Sequence, residues 1–373
     1  MSDPNDKFRT AITPHNVMAT WGLSGGKSGP HSNHDNVGIV LSHEPALLDG
    51  VYYDEFLDHI LKPDGTQWRD HDDVRVTMQL QGTYGLVRLS VGQVRAVIAQ
   101  RLQATPRHCV REYLNGLTWD EEPRIHDALC RYWCAFPSAS QPPEYLRAVS
   151  GNFFLSLVAR AFAPGCQVDY MPVFEGAQGI RKSSALGALG GSWFAVIHER
   201  ITEKDFFQAL QGVWLIEVSE MSAFPQSHME RIKSVITTRD DRFRGSYDAR
   251  TSRHPRQCVF AGTTNRDDWG HDETGLRRFW PVKVRGIELE EIQAWRDQLF
   301  AEAVVRYRAG ESWWDVPAIT ATVQADRQDF DEWTPKILEW SHDHLKQGHD
   351  YVMTGEALAE GLKLPVHLIN KSN

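Results

Sequence analysis

Three short apolar runs in the middle of the chain, each followed by polar residues, predict buried strands. Residues 171–174 read MPVF, residues 213–216 read VWLI and residues 258–262 read CVFAG. Apolar runs of this length, bounded by turn residues, are typical of strands that are buried on both faces. Helical spacing in the intervening segments then predicts a largely parallel sheet with helices on both faces, in a domain spanning residues 151–317.

The flanking regions predict helices rather than strands. Apolar side chains recur at helical spacing in residues 54–61 and 91–103, so we predict a mostly α-helical N-terminal domain over residues 36–150. Residues 1–35 are polar and rich in Gly, Ser and Pro, which predicts a flexible lead-in. Residues 318–373 predict charged helices and, at residues 352–362, the start of a helix-turn-helix that the chain leaves incomplete.

Composition excludes several classes of protein. The 373 residues are 41% hydrophobic and 24% charged, as in ordinary globular proteins. We expect no membrane partner, because no apolar run approaches the ~18–20 residues needed to cross a bilayer, and no signal peptide, because the N-terminus lacks an apolar core. Five unevenly spaced cysteines predict reduced thiols in a cytoplasm. With a formal net charge of −9, DNA binding would require a local basic patch.

The first apolar run leads into a loop with the composition of a phosphate-binding loop. In a strand–loop–helix arrangement, the loop N–H groups and the helix N-terminus face an anion, and a lysine reaches the terminal phosphates. The hydroxyl that follows the lysine binds Mg²⁺. We therefore predict that ATP is bound by nine consecutive residues: Gly176, Ala177, Gln178, Gly179, Ile180, Arg181, Lys182, Ser183 and Ser184.

Two local details qualify this motif. The pattern normally has glycine immediately before the lysine, where it tolerates positive φ and lets phosphates approach the backbone. Arg181 instead adds a Cβ and a long cation, so we expect weakened nucleotide binding with slow or absent hydrolysis, and faster turnover after Arg181→Gly. A second stretch, Gly25-Gly26-Lys27-Ser28, has a similar sequence. No apolar strand precedes it and a proline follows, so we reject it as a nucleotide site.

Polar residues at the ends of the next two predicted strands complete a candidate ATPase site. Glu217 and Glu220 follow the second strand, and Asn265 follows the third. We predict that Glu217 and Ser183 hold Mg²⁺, that Glu220 orients the attacking water and that Asn265 senses the γ-phosphate. Further along the chain, Arg277 and Arg278 are candidates for an arginine finger that acts on the ATP of a neighbouring subunit.

Five segments together resemble the virulence-associated protein E family, and the resemblance extends over residues 36–317. They read FEGAQGIRKSSALGALGG, LQGVWLIEVSE, TTRDDRFRGSYDAR, VFAGTTNRDDW and TGLRRFWPV. These phage- and island-encoded P-loop proteins are similar to superfamily 3 helicases and D5-type primase-helicases. The resemblance implies an α/β P-loop NTPase core of the AAA+ or superfamily 3 type, assembled as a ring, most often a hexamer. It also implies an ATP-dependent DNA helicase or translocase that replicates a phage or other mobile element. The family normally has glycine where this chain has Arg181.

A basic stretch between the second and third strands predicts contact with single-stranded or forked DNA. Interleaved aromatic and basic side chains suit a surface that follows phosphates and stacks bases. Ring contacts to a neighbour's nucleotide, or a solvated face with internal ion pairs, remain alternatives. The residues that we predict to bind DNA are Lys233, Arg239, Arg242, Arg244, Tyr247, Arg250 and Arg253.

Two other functions are compatible with parts of the sequence. A DNA-binding or assembly module with a decayed ATPase would account for Arg181, whose side chain could crowd the phosphate site. A small-molecule kinase would account for the loop, but it explains neither the basic stretch nor the Arg277–Arg278 pair. Phosphate release stimulated by DNA would favour the motor, and DNA binding that is independent of nucleotide would favour the module.

Overall fold

The computed structural model describes residues 14–197, 204–221, 226–243, 252–265, 278–315, 317–318, 320 and 340–341. Within them the chain has a mixed α/β fold around a parallel five-stranded sheet. No helix in these ranges is both long and apolar enough to cross a membrane. The predicted helix-turn-helix at residues 352–362 lies outside the described residues.

The described N-terminal residues form small helices and two hairpins around their own apolar core. The elements are α1 (Pro14–Trp21), β1 (Gly25–Gly26), β2 (Gly29–Pro30), α2 (His34–His43), a 3₁₀ turn (Pro45–Leu48), β3 (Tyr52–Asp54), β4 (His59–Leu61), α3 (Asp70–Gly82) and α4 (Val91–Gln103). Helix α4 has the predicted bounds. Val37, Val76, Leu80, Val94 and Ile98 are completely buried in this core.

Two predictions for this region are wrong. Residues 54–61 form the β3–β4 hairpin rather than a helix, because the Asp54 carboxylate accepts hydrogen bonds from the N–H groups of Phe56 and Leu57, and Asp58 has φ of 57°. These local bonds favour a turn over helical continuation. Nor is the expected lead-in separate from the core over residues 14–35, since Val17 and Leu23 are buried in it. The rejected Gly25–Ser28 stretch lies in the β1–β2 hairpin.

The following helices belong to the sheet rather than to the N-terminal core. They are α5 (Cys109–Gly116), α6 (Ala128–Tyr132) and α7 (Pro143–Phe162). Helix α7 is buried almost all round and continues across the predicted domain boundary at residues 150/151. Its side chains share one core with α5, α6 and one face of the sheet. Apart from Phe56 in the β3–β4 hairpin, which joins the core of the sheet, the boundary between the two cores lies before α5. The helical spacing alone did not indicate it.

The sheet is built from strands that are far apart in sequence. In chain order the elements are β5 (Met171–Glu175), α8 (Lys182–Gly190), a 3₁₀ turn (Gly191–Trp193), β6 (Phe194–Ile197), α9 (Lys204–Ala209), β7 (Leu215–Val218), α10 (Gln226–Thr237), β8 (Asp240–Phe243), β9 (Ser252–Pro255), β10 (Val259–Thr264), β11 (Phe279–Lys283) and α11 (Leu289–Arg308). Strands β8 and β9 form a separate antiparallel hairpin. The sheet order is β11-β5-β10-β7-β6, and every pair is parallel.

Side chains alternate between two cores across this sheet, as expected for period-two strands. Phe174 faces the core shared with α7, α8 and α11, whereas Met171 and Val173 face the core shared with α9 and α10. The predicted strands at residues 171–174, 213–216 and 258–262 are found as β5, β7 and β10. Strands β6 and β11 were not predicted. All five strands end at the same edge, and the candidate site lies there.

Candidate active site at the carboxyl edge of the sheet

The glycine loop between β5 and α8 is shaped by two backbone constraints. Gly179 has φ of 83°, a conformation that favours glycine. A Cβ on Gly176 would lie 2.6 Å from the Val284 carbonyl oxygen and 2.8 Å from Ile180 Cδ1, so only glycine fits. The loop therefore packs against the segment that follows β11 and turns directly into α8.

Lys182, the first residue of α8, is buried and hydrogen-bonded to the glycine loop. Its Nζ donates hydrogen bonds to the carbonyl oxygens of Gly176 (2.6 Å) and Ala177 (2.9 Å), and to Asn265 Oδ1 (3.1 Å). Burial lowers the pKa of Lys182, and the nearby Glu217 carboxylate opposes that shift. An ammonium has three N–H donors, and these three contacts use all of them. An incoming phosphate must therefore replace one of the three partners.

Ser183 and Glu217, the two residues predicted to hold Mg²⁺, are hydrogen-bonded to each other, and a third residue joins them. Ser183 Oγ and Thr263 Oγ1 each donate to Glu217 Oε1, both at 2.6 Å. Glu217 is completely buried on β7, and its other oxygen, Oε2, has no hydrogen-bond partner among the described residues. A buried carboxylate oxygen without a partner is unfavourable. The arrangement thus presents an acceptor next to a serine hydroxyl.

These residues border a cleft of about 580 Å³. Its wall includes most of the predicted loop residues, together with Glu217, Glu220, Thr263 and Asn265. Glu220 is exposed and has φ of 54°, in the left-handed region that non-glycine residues rarely adopt. Such strained positions cluster at functional sites. The structure therefore brings the predicted loop, carboxylates and amide to one opening.

Arg181 has a left-handed backbone conformation, which normally favours glycine. Its φ and ψ are 70° and 29°, and its carbonyl accepts the first-turn hydrogen bond from the Ala185 N–H at 3.0 Å. The guanidinium lies beside the first turn of α11, where Nη1 donates to Glu290 Oε1 at 2.8 Å. A backbone hydrogen bond, the larger cause, and this contact with Arg181 lower the pKa of Glu290. The Cβ is thus accommodated in the loop.

Of the two candidate finger residues, only Arg278 is described, and it is not part of this cleft. Arg277 lies outside the described residues. Arg278 directly precedes Phe279, which pairs with Met171 at the start of β5, whereas the loop follows the other end of β5. Arg278 therefore lies at the amino edge of the sheet, about 16 Å along a five-residue strand from the loop.

The predicted DNA-binding residues are not all surface cations. Lys233 on α10 is buried, with only 3% of its side chain exposed, and Nζ donates to Glu230 at 2.9 Å. It is therefore a structural lysine. Arg239 is exposed and hydrogen-bonds Gln167. Arg244, Tyr247 and Arg250 lie outside the described residues.

Two arginines do lie on the hairpin surface. Arg242 on β8 and Arg253 on β9 are both exposed and directly opposite each other across the two strands. Arg253 Nη2 also donates to Asp240 at 2.7 Å. Like charges in directly opposed positions repel, and an anion bound over both would relieve the repulsion. This pair is the described part of the basic stretch that best fits a phosphate backbone.

Sequence reasoning missed two contributors to the site and the burial of one arginine outside it. Thr263 and Glu290 belong to no recognisable motif in the sequence. Strand pairing brings Thr263 to Glu217, and helix packing brings Glu290 to Arg181. Arg256, which follows the predicted DNA-binding residues in the sequence, is buried in an ion pair with Asp241 at the base of the hairpin. Its position two residues before the apolar run that contains β10 was the one local signal of burial.

The family comparison agrees with the motifs. A model of the virulence-associated protein E-like domain matches residues 114–332, which is more than half of the chain. The chain belongs to the virulence-associated protein E-like family. The match confirms the resemblance carried by the loop, the two strand ends and the basic stretch, all of which lie within it. No match was found among proteins of curated description.

Among solved structures, those of the NrS-1 C-terminal region are similar to this family member. The apo structure of NrS-1 C terminal region (305-718) is 12% identical, covering 86% of this chain and 82% of that one, with a TM-score of 0.45. The A form apo structure of the same region is 13% identical, covering 82% and 80% of the two chains, with a TM-score of 0.42.

Proposed function

We propose that the chain is an ATP-dependent DNA motor of the superfamily 3 helicase type, serving the replication of a phage or other mobile element. The observation that carries this proposal is the convergence of Lys182, Ser183 and Glu217 at the carboxyl ends of parallel strands. Ligands of open α/β sheets bind at that edge. Membership of the virulence-associated protein E-like family supports the same function.

The residues present fit a magnesium nucleotide. Ser183 Oγ and Glu217 would hold Mg²⁺, since both supply the oxygen ligands that this ion prefers and Glu217 Oε2 has no other partner among the described residues. Bound there, Mg²⁺ would neutralise charge on the β- and γ-phosphate oxygens. Lys182 and the N–H groups of the loop bind the phosphates, while Glu220 orients the attacking water and Asn265 senses the γ-phosphate.

The position of Arg278 supports action between subunits. A residue at the amino edge of the sheet cannot reach the loop at the carboxyl edge of its own subunit. It could reach the nucleotide of a neighbour in a head-to-tail ring, with Arg277 as the alternative finger. We propose a hexamer by analogy with the family. Sedimentation with nucleotide and DNA tests this, and a strict monomer under all conditions would remove the finger mechanism.

The ATPase proposal is tested by nucleotide binding and phosphate release, with and without single-stranded DNA. Lys182→Ala should abolish binding, since the loop loses its phosphate cation and the three hydrogen bonds that hold it. Lys27→Ala is the matched control, because Lys27 lies in a similar Gly-Gly-Lys-Ser stretch but is exposed on a hairpin. Loss of binding in both variants, or in neither, would contradict the assignment of Lys182.

A second candidate function is a DNA-binding or assembly module whose nucleotide site has decayed. Arg181 favours it, because this position borders the cleft and carries a long side chain where the family normally has glycine. DNA binding without any nucleotide binding by the wild-type chain would select the module. Phosphate release stimulated by DNA would select the motor.

A further inference from the structure

The contact between Arg181 and Glu290 joins the proposed nucleotide loop to α11, a helix more than 100 residues later in the sequence. Arg181 is the last residue of the loop, and Glu290 is in the first turn of α11. Glu290 is held in place because α11 packs along α8, where Arg296 Nε donates to the Leu189 carbonyl at 2.8 Å. The carboxylate therefore has a defined position beside the loop.

This ion pair is easily exchanged. Its side chains are 48% and 72% exposed, for Arg181 and Glu290 respectively, and a solvent-exposed ion pair contributes little to stability. The contact with Glu290 is a single hydrogen bond, whereas a guanidinium often binds phosphate through two charge-assisted hydrogen bonds. Arg181 also borders the cleft next to Lys182. The Arg181 side chain therefore lies beside both a weakly held partner, Glu290, and the predicted phosphate position.

We propose that Arg181 is a second phosphate-binding cation in this loop and that Glu290 is its counter-ion in the nucleotide-free state. The inference rests on the proposed ATP binding. On binding, the triphosphate replaces the Glu290 carboxylate as the partner of Arg181. Glu290 is thus a positioning residue, which holds the guanidinium beside the cleft and competes with the ligand. Arginine in place of the usual glycine then adds a phosphate ligand to the loop rather than only crowding the site.

The consequence is a specific coupling between the two positions. Glu290→Gln removes the competing charge, so the affinity for magnesium ATP should rise about two- to fivefold, the scale of an exposed ion pair. In an Arg181→Gly background there is no guanidinium to release, so Glu290→Gln should leave the affinity unchanged. Arg181→Gly alone should weaken binding, because the loop then has one fewer cation to bind phosphate.

The experiment is a four-variant titration calorimetry cycle with magnesium ATP, repeated with inorganic tripolyphosphate to isolate the phosphate contribution. Glu291→Gln is the matched control, because it removes the same charge from the same helical turn but contacts Trp295 rather than Arg181. Its affinity should equal that of the wild type. The proposal is confirmed if only Glu290→Gln tightens binding and only when Arg181 is present.

Each other outcome decides against it. No tightening, or equal tightening in both backgrounds or in the Glu291 control, shows that Glu290 does not act through Arg181, while nucleotide binding by the wild type leaves the ATPase proposal intact. If Arg181→Gly binds more tightly than the wild type, the arginine only crowds the site. If neither ATP nor tripolyphosphate binds any variant, the proposed function falls together with this inference.

Discussion

Replacing Asp241 with Asn should destabilise the packing of the β8–β9 hairpin against the rest of the sheet domain. Arg256 and Asp241 are 2% and 5% exposed, and they form two hydrogen bonds: Nε donates to Oδ2 at 3.0 Å, and Nη2 donates to Oδ1. Nη1 of the same guanidinium donates to the carbonyl of Val235 on α10. One arginine therefore connects the base of the hairpin to the helix beneath it.

The magnitude follows from the burial of both charges. Removing one partner of a buried ion pair typically destabilises a protein by about 3–5 kcal/mol, because the other charge remains uncompensated. A second buried cation is adjacent, since Arg160 Nη1 donates to the carbonyl of Arg256 at 3.1 Å, and burial lowers the pKa of Arg160. Arg160 interacts with two other carboxylates, Asp169 and Asp240, so Arg256 is the guanidinium that loses its compensating charge. We therefore expect Asp241→Asn to cost about 3–5 kcal/mol.

The assay is urea unfolding followed by tryptophan fluorescence, with the midpoint of the sheet-domain transition as the measured quantity. A double variant, Asp241→Leu with Arg256→Met, should recover most of the loss in stability, because buried ion pairs can be replaced by apolar groups of similar size. Asp240→Asn, which weakens the pair with the exposed Arg253 on the same hairpin, is the matched control and should lower the midpoint much less than Asp241→Asn does. The reasoning is refuted if Asp241→Asn unfolds like the wild type, or if the double variant is no more stable than the single one.

Two further predictions concern the DNA surface and the effect of pH. Replacing both Arg242 and Arg253 with Ala should weaken DNA binding and lower the log–log salt slope by about one unit for each phosphate that is no longer neutralised; an unchanged slope would assign them to ring or ion-pair contacts. Burial lowers the pKa of His108, whose Nδ1 accepts the Arg111 N–H while Nε2 contacts Gln257. The stabilisation that neutral His108 gives the folded state is therefore fully present above pH 6.5, its pKa in the unfolded chain. It is lost as the pH falls through the lower pKa of the folded state. Unfolding midpoints at pH 7.5 and 5.5 should differ less in His108→Gln than in the wild type, and an equal difference would contradict this assignment.

The parts of the site that local sequence predicts are those that follow directly from a strand. The apolar run before Gly176 located β5, and the polar residues after the other runs located Glu217 and Asn265. Because carboxyl ends of parallel strands meet at one edge, these positions converge without any knowledge of the strand order. The order itself, with β5 between β10 and β11, depends on pairing between segments about 90 to 110 residues apart and is not encoded locally.

Which charged residues are buried was the main feature that could not be predicted from the sequence. Lys233, Arg242 and Arg256 all lie in one basic segment of the sequence, yet Lys233 and Arg256 are buried and paired and Arg242 is exposed. Which arginine faces solvent is decided by how α10 and the hairpin pack on the sheet. In the same way, Glu290 is one of several acidic residues at the start of α11, and only the packing of α11 along α8 places it beside Arg181.

Strand β10 connects the two halves of the proposed mechanism. Its carboxyl end carries Thr263, which donates to Glu217, and leads to Asn265, which accepts from Lys182. Its amino end follows Arg256 and the β8–β9 hairpin. A phosphate arriving at Lys182 must replace one of three acceptors, and exchanging Asn265 leaves both hydrogen bonds within the loop intact. Arrival of the ligand would then free the Asn265 amide directly after β10. This strand has six residues, is about 20 Å long and continues from the proposed DNA-binding hairpin. Within the proposed function, this strand is the shortest covalent path by which the state of the nucleotide could alter the affinity for DNA.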